Sequence, residues 1–495
     1  MVVGRLVLGL PSAFGLTVIV LIWSALTGAG LGFIRACLFS LVAVAIREII
    51  DASAHRLIMR AWRSRDPHGL LLTIIAATCP AVAGFLAARL LAPAASTTSS
   101  TRSTPSWRPT PPPSSRDSSR RAASEVGAPA RRIYGIETEY GITCASTTGG
   151  APPLDADRAA RLLFEPVIAR SRTSNAFTRG GARLYLDVGS HPEYATAECD
   201  RLTDLLAQDR AGEITMADLA ARANAVLAAR GVPGRIHLLK NNTDSAGTGF
   251  GCHENYLVRR RADFWNDART LVPHLVTRQI LVGAGHVLPG ANGAPARYVF
   301  SQRADQMEDA VSSATTRSRP LINTRDEPHA DATRYRRMHV IVGDSNIAQG
   351  STLLKVAAMD LLLDYLEKGG SLADLRLARP MSEIRRVCHD LSGRTPLELA
   401  DGRTITPIDL QTEHLARVRA HTADLDLSEL HRRALDLWER GLDAVARGRP
   451  QDVAADLDWA AKHQLLTRYA ERVGAELDDP RLSRLALAYH DVSPR

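Results

Sequence analysis

Residues 131–143 read RRIYGIETEYGIT, and the way this stretch alternates decides the fold. Side chains alternate along an extended chain, so Glu137 and Glu139 project from one face, about 7 Å apart. Two carboxylates on one side of a sheet repel each other unless a cation lies nearby, and Mg²⁺, with its preference for oxygen and phosphate, suits that role. A solvated strand face is the alternative reading of the pair. Further strand-like runs come after it: ARLYLDVG, RIHLLKNN, ENYLVRR, ARYVFSQR and MHVIVGD. Helix-like segments separate them, at residues 155–165, 216–230, 351–368 and 427–446, with Asp218 and Ser351 near the expected helix starts. Several strands in non-adjacent order, mixed with helices, predict an α+β fold with helices on one face of a largely antiparallel sheet.

The second constellation is GARLYLDVGSHPEYATAE, residues 181–198. Arg183, Tyr185 and Asp187 occupy alternate positions and share a face, while Leu184 and Leu186 take the other. A guanidinium, a phenol and a carboxylate in line suit a phosphate, a metal-bound water and an incoming amine. Glycine and proline then turn the chain and return Glu193 and Thr196 towards the same region. An amphipathic edge strand is the plainer reading. The third is the polar loop KNNTDSAG (residues 240–247) leading into GCHENY (251–256). There His253 and Glu254 point to opposite faces, so at most one joins a given site. The fourth is TTRSR (315–319) with NTRDEPH (323–329), where Arg317 and Arg319 stand among hydroxyls and can hold anionic oxygens. A surface loop with salt bridges reads almost as well. No GxxxxGK[ST], strand-linked GxGxxG or GxSxG occurs, which argues against a P-loop enzyme, a Rossmann site and a nucleophile elbow.

Composition separates two parts. The net charge of +8 over 495 residues belongs wholly to the first 130, which hold 13 Arg, no Lys and five acidic residues. Residues 131–495 balance at 48 basic and 48 acidic, so the basic pI is no argument for nucleic-acid binding. The six scattered cysteines form no CxxC pair, which points away from a zinc site or disulfide framework and towards a reducing compartment. Uncharged runs at 6–34 and 70–88 are each long enough to span a hydrocarbon core as a helix. Residues 1–93 are therefore expected to be a membrane segment, with an upstream gene-model fusion as the alternative. Residues 94–130 are Ser, Thr, Pro and Arg with almost no large apolar side chain, the composition of a disordered linker. Five Arg in residues 47–68 would place that connector in the cytoplasm and the chain beyond the second run outside. The helical spacing of Ile50, Ala54, Leu57, Ile58 and Ala61 suits a segment lying on the membrane surface instead, with the chain beyond the linker in the cytoplasm.

Taken in order, GIETEYG, GARLYLDVGSHPEYATAE, KNNTDSAG, GCHENY, SSATTRSRPLINTRDEPHAD and HVIVGDSN resemble the Pup–protein ligase family over residues 131–495. The resemblance implies a glutamine synthetase-like fold, a curved antiparallel sheet cradling ATP and Mg²⁺. It implies phosphorylation of the C-terminal glutamate of the small protein Pup, then attack by a substrate lysine to form an isopeptide bond that marks proteins for the bacterial proteasome. Carried over by position, Glu137, Tyr185 and Glu193 match magnesium ligands, Arg183 and Thr196 match ATP contacts, and Asp187 matches the proton acceptor. Glu139, His253, Arg317 and Arg319 are expected site neighbours. The rival is the family's depupylase, whose opening motif reads closer to GTEVEYG and which carries a long insertion after the first strand. Here only about 40 residues separate Gly141 from Gly181. The family also continues into a small C-terminal domain beyond the point matched by Arg495, so a catalytically impaired Pup-binding homologue is a further alternative. The expected partners are Pup and lysine-bearing proteins, with the membrane added if residues 1–93 are genuine.

Overall fold

The computed structural model describes residues 129–492, apart from 188, 245–246, 248, 263, 291–293, 313–318 and 328–329. The expected membrane segment (1–93), all but the last two residues of the expected linker (94–130), and Arg317 lie outside the described residues. Among the described residues no helix is long and apolar enough to cross a membrane.

Twelve strands set the frame: β1 (Tyr134–Glu139), β2 (Gly141–Ser146), β3 (Asn175–Phe177), β4 (Arg183–Leu186), β5 (Pro192–Ala195), β6 (Gly234–Leu239), β7 (Cys252–Arg259), β8 (His286–Leu288), β9 (Arg297–Val299), β10 (Asp309–Ser312), β11 (Pro320–Asn323) and β12 (Tyr335–Val340). Eight of them form one sheet in the order β10-β11-β12-β7-β1-β5-β4-β3. Only β10 and β11 run parallel; every other neighbour is antiparallel, as the alternation predicts. The strand that carries the two glutamates therefore lies mid-sheet, flanked by the GCHENY strand and the HPEYA strand.

The helices are α1 (Ala156–Ser171), α2 (Leu202–Ala229), α3 (Phe264–Thr277), α4 (Gln279–Val282), α5 (Gln349–Glu367), α6 (Pro380–His389), α7 (Pro407–Thr422), α8 (Glu429–Ala446), α9 (Asp458–Val473) and α10 (Pro480–Ala488). Alternation in β1 and β7 sends Tyr134, Ile136, Tyr256 and Val258 into one apolar core, joined there by Met338 and Val340 of β12. Helices α3 and α5 complete that core. Helix α5 is apolar on nearly every side, with Leu353, Leu354, Val356, Ala357 and Leu361 all buried, the pattern of a helix enclosed by protein. A second core, on the same side of the sheet, packs Leu184 and Tyr194 with residues of α1 and α2. The helices thus claim the apolar face and leave the polar one open.

One expected helix start is corrected. Helix α2 begins at Leu202, well before residue 216, and Asp218 sits mid-helix in an ion pair with Arg222 at 2.8 Å. Asp209 and Glu213 break the apolar period of that helix in the sequence. They are buried because Lys240 Nζ donates to both, at 2.9 and 2.8 Å. Ser351 stands in the first turn of α5, near the expected start, and its hydroxyl accepts from the Asp458 amide at 3.0 Å.

Candidate active site

Register across the sheet decides which side chains meet. Glu139 stands opposite Glu193, which stands opposite Tyr185, which stands opposite Asn175. In the next row His253, Glu137, Ala195, Arg183 and Phe177 are successive partners. Directly paired residues share a face, so both rows lie on the open side of the sheet. His339 and Arg337 of β12 join them through Asn255 and Leu257.

Between β4 and β5 the chain reverses in a tight turn. Asp187 N–H donates to the His191 carbonyl at 2.9 Å, and Ser190 N–H donates to the Asp187 carbonyl at 3.0 Å. Gly189 takes φ 89° there, a conformation open to glycine at no steric cost. The His191 ring packs on Phe250 with centroids 4.6 Å apart and holds the far side of the turn. This turn brings the Asp187 carboxylate back over the sheet. Ligand oxygens of Glu139, Asp187 and Glu193 all lie within 4.8 Å of one another.

Three carboxylates that close have an electrostatic consequence. Burial, then the charges of Glu137, Glu139 and Asp187, push the Glu193 carboxyl well above the usual carboxylate range. Glu193 is 2% exposed and receives one hydrogen bond, from the Tyr185 hydroxyl. Tyr185 in turn is pushed above the ordinary phenol range by burial and by Glu193 and Glu137, so it stays a donor. A divalent cation among these oxygens would relieve the repulsion that burial imposes, and the donor set is the all-oxygen kind a hard cation takes. The residues present fit magnesium.

Glu137 belongs to a different group. Its carboxylate meets His253 Nδ1 at 3.2 Å, accepts from Asn255 Nδ2 at 3.0 Å and lies 3.7 Å from His339 Nε2. Burial opposes its ionisation, but His253 and His339 outweigh burial and hold it well below the usual range. Glu254, one residue on from His253, faces the core and pairs with Arg278 through two contacts, as alternation requires.

Arg183 is fixed from two sides. Its Nε donates to Asn175 Oδ1 at 2.7 Å, and its guanidinium lies 4.3 Å above the Tyr185 ring. Thr196 is placed otherwise: its hydroxyl accepts from the Ile136 amide at 3.1 Å and so closes the β1–β5 pairing. Arg319 donates to the Gly249 carbonyl, on the loop whose Gly251 amide donates to Glu139 Oε2 at 2.7 Å.

Sequence reasoning missed four residues of this face. Asn255, Arg337 and His339 surround Glu137, and their signal was present as in-phase alternation along GCHENY and YRRMHV. The fourth is Arg303, 2% exposed, with Nε and one terminal nitrogen lacking a partner and the other donating to the Ile341 carbonyl at 2.8 Å. Its guanidinium borders Gly251, and it is coupled electrostatically to Glu139 and Arg319. No local pattern marks it, because a loop carries it.

The Pup-ligase protein family model matches residues 132–495. The Pup–protein ligase of Sanguibacter keddieii is 55% identical over 364 residues, covering 73% of this chain and 79% of its own length. That of Actinosynnema mirum is 51% identical over 362 residues, with the same coverage. Among solved structures, the ligase PafA in complex with the prokaryotic ubiquitin-like protein Pup matches with TM-score 0.69 and 41% identity, over 74% of this chain and 73% of that one. PafA in complex with ADP matches with TM-score 0.61 and 43% identity, over 69% and 75%. An open polar sheet face with clustered carboxylates, a match through 132–495 and relatives above 50% identity converge on one assignment: the chain belongs to the Pup ligase family.

Proposed function

We infer that this chain is an ATP-dependent Pup–protein ligase, which activates the C-terminal glutamate of Pup as an acyl phosphate and joins it to a substrate lysine. The observation that carries the reading is the convergence of Glu139, Asp187 and Glu193 beside a clamped Arg183, in a chain of this family. Consumption of ATP argues for a reaction in the cytoplasm, and its product is a protein marked for the bacterial proteasome.

The chemistry comes from the residues. The γ-phosphoryl group passes from ATP to a carboxylate oxygen of the Pup glutamate, releasing ADP. The lysine nitrogen then attacks the acyl carbon, phosphate leaves with the C–O bond electrons, and one proton must leave the nitrogen. Catalysis of such transfers is mostly positioning and electrostatics. Arg183, held by Asn175 and stacked on Tyr185, presents a fixed guanidinium to phosphate oxygens. Glu139 and Glu193 would hold magnesium, with Glu137 beside them and Asp187 at the margin of the cluster; when bound, the ion neutralises charge on the transferring phosphoryl group. Tyr185 orients Glu193 by donating its hydroxyl. Asp187, on a turn at the edge of the group, takes the lysine proton.

The test incubates the purified chain with magnesium, ATP, Pup ending in glutamate and a lysine-bearing acceptor protein. A conjugate at the summed mass less one water, formed only with ATP, is the expected product. Cleavage of a preformed Pup conjugate without ligation would replace this reading with the depupylase one.

A further inference from the structure

The polar run KNNTDSAG leads into the GCHENY strand, and the two arms of the loop between them are tied together. Thr243 bridges Gly249, and the Phe250 amide donates to the Asn242 carbonyl at 3.1 Å. The second arm reaches the site. Its Gly251 amide holds one oxygen of Glu139 at 2.7 Å, and the Phe250 ring packs on His191 behind the Asp187 turn. Where this loop sits therefore bears on how Glu139 and Asp187 stand over the sheet.

The base of the loop is held from far along the chain. After α10, residues 490–492 run antiparallel to β6. Leu239 bridges Asp491, the Val492 amide donates to the Leu238 carbonyl at 2.9 Å, and the Lys240 amide donates to the His490 carbonyl at 2.8 Å. His490 is buried there, at 1% exposed. Its partners fix its tautomer. Nδ1 lies 3.0 Å from the Lys240 carbonyl oxygen, which can only accept, so Nδ1 carries the hydrogen and Nε2 the lone pair. Lys462 Nζ at 2.9 Å and Gln302 Nε2 at 3.2 Å both bring donors to that lone pair.

This contact orients the Gln302 amide. With its nitrogen on His490, Gln302 turns Oε1 to Asn242, where it accepts from the backbone amide at 2.7 Å and from Nδ2 at 2.9 Å. A reversed amide would set acceptor against acceptor at His490 and donor against donors at Asn242. Asn242 in turn gives Oδ1 to the Ser345 amide and borders Gly251. We propose that His490 is a positioning residue of the active site, acting through Gln302 and Asn242 on the loop that sets Glu139. The proposal rests on the ligase reading, in which Glu139 helps to hold magnesium.

The experiment measures Mn²⁺, standing in for magnesium, bound to the full 495-residue chain without nucleotide, by electron paramagnetic resonance alongside denaturant midpoints. His490→Ala is expected to weaken Mn²⁺ about tenfold, the lower end of the range for groups that orient metal ligands. His490→Gln, which can set an oxygen acceptor where Nε2 stands, should bind as the parent does. Asp491→Ala loosens the same strand at its 2.7 Å contact with His237, so it should lower the midpoint and leave Mn²⁺ affinity unchanged. Gln302→Met leaves that strand in place and should show the His490→Ala loss; it carries the test if His490→Ala does not fold. Parental affinity in His490→Ala or Gln302→Met overturns the proposal. So does an equal loss in Asp491→Ala, which would reduce His490 to a general stabiliser, or a loss in His490→Gln as large as in His490→Ala. If the parent itself binds no Mn²⁺, the metal reading of the carboxylate cluster falls and the role of His490 falls with it.

Discussion

At Asp187 two roles meet, proton acceptor and member of the carboxylate cluster, and they separate by which half-reaction suffers. Asp187→Asn keeps the shape and removes the base. Isopeptide formation should fall about 10²–10⁴-fold, the usual cost of losing general-base catalysis. ADP release with Pup alone should fall much less, because that half-reaction needs no base. Equal losses in both rates would assign Asp187 to metal binding instead. Glu193 offers the complementary case. Burial and three neighbouring carboxylates disfavour its charge, so Glu193→Gln should leave the metal-free protein as stable as the parent or more so. What it should lose is the rise in melting temperature that magnesium confers by binding only the folded state. A variant that keeps that shift would remove Glu193 from the ligand set. Much of this chemistry was legible in the alternation of IETEY and ARLYLD, since strand period alone fixes which residues share a face. The full grouping was less so. The resemblance set Glu137 with Tyr185 and Glu193; in the structure Tyr185 donates to Glu193, Glu139 and Asp187 gather on Glu193 as well, and Glu137 also meets His253 and His339. Register between strands far apart in sequence decides this, and no local pattern encodes it.

Between elements, the site depends on how closely α2 lies beneath β5. Gly212 is inside α2, where glycine costs about 1 kcal/mol relative to alanine, so its presence needs a packing reason. A Cβ there would come within 2.5 Å of the Tyr194 ring, and Tyr194 is the residue directly after Glu193. Gly212→Val should therefore destabilise the protein by about 1–3 kcal/mol through overpacking, read as a lower denaturant midpoint. Because the displaced strand carries Glu193, the magnesium requirement should rise as well. An unchanged midpoint would show that α2 and β5 tolerate separation. The strands were easier to foresee than this helix. Strand period survived in short runs, but α2 hides Asp209 and Glu213 on its inner side. Charged residues at buried positions imitate a loop until their partner, Lys240, is seen.

Across the whole molecule, the interior carries paired charges and unprotonated histidines, and the two kinds respond to pH differently. Arg132 with Asp360 and Glu367, Lys240 with Asp209 and Glu213, and Arg278 with Glu254 tie helices to the sheet as ion pairs. Losing one partner of such a pair strands a charge at about 3–5 kcal/mol. The histidines are the more pH-sensitive group near neutrality. Burial pushes His414 down to about 3, helped by Arg417, and His286 down to about 4, helped by Lys462. Burial also drives His274 and His490 well below the ordinary imidazole value. In the unfolded chain each would bind a proton below about pH 6.5. Between that value and the lower folded one, the unfolded state binds more protons, so stability falls as the pH drops. Each such histidine costs about 1 kcal/mol on going from pH 6.5 to 5.5, through the linkage slope of about 1.4 kcal/mol per unit and proton. The protein should therefore lose stability from pH 6.5 downward, before the acidic range in which its carboxylates titrate. His414 is a direct probe of the effect, because it is fully buried. His414→Leu removes one titrating group, and with it the ring that packs edge-on against His274. Denaturant titrations at pH 7.5, 6.5 and 5.5 should give a shallower pH dependence in the variant, by about 1 kcal/mol across the last interval. Parallel curves for the two proteins would mean that His414 is protonated in the folded state, contrary to its burial.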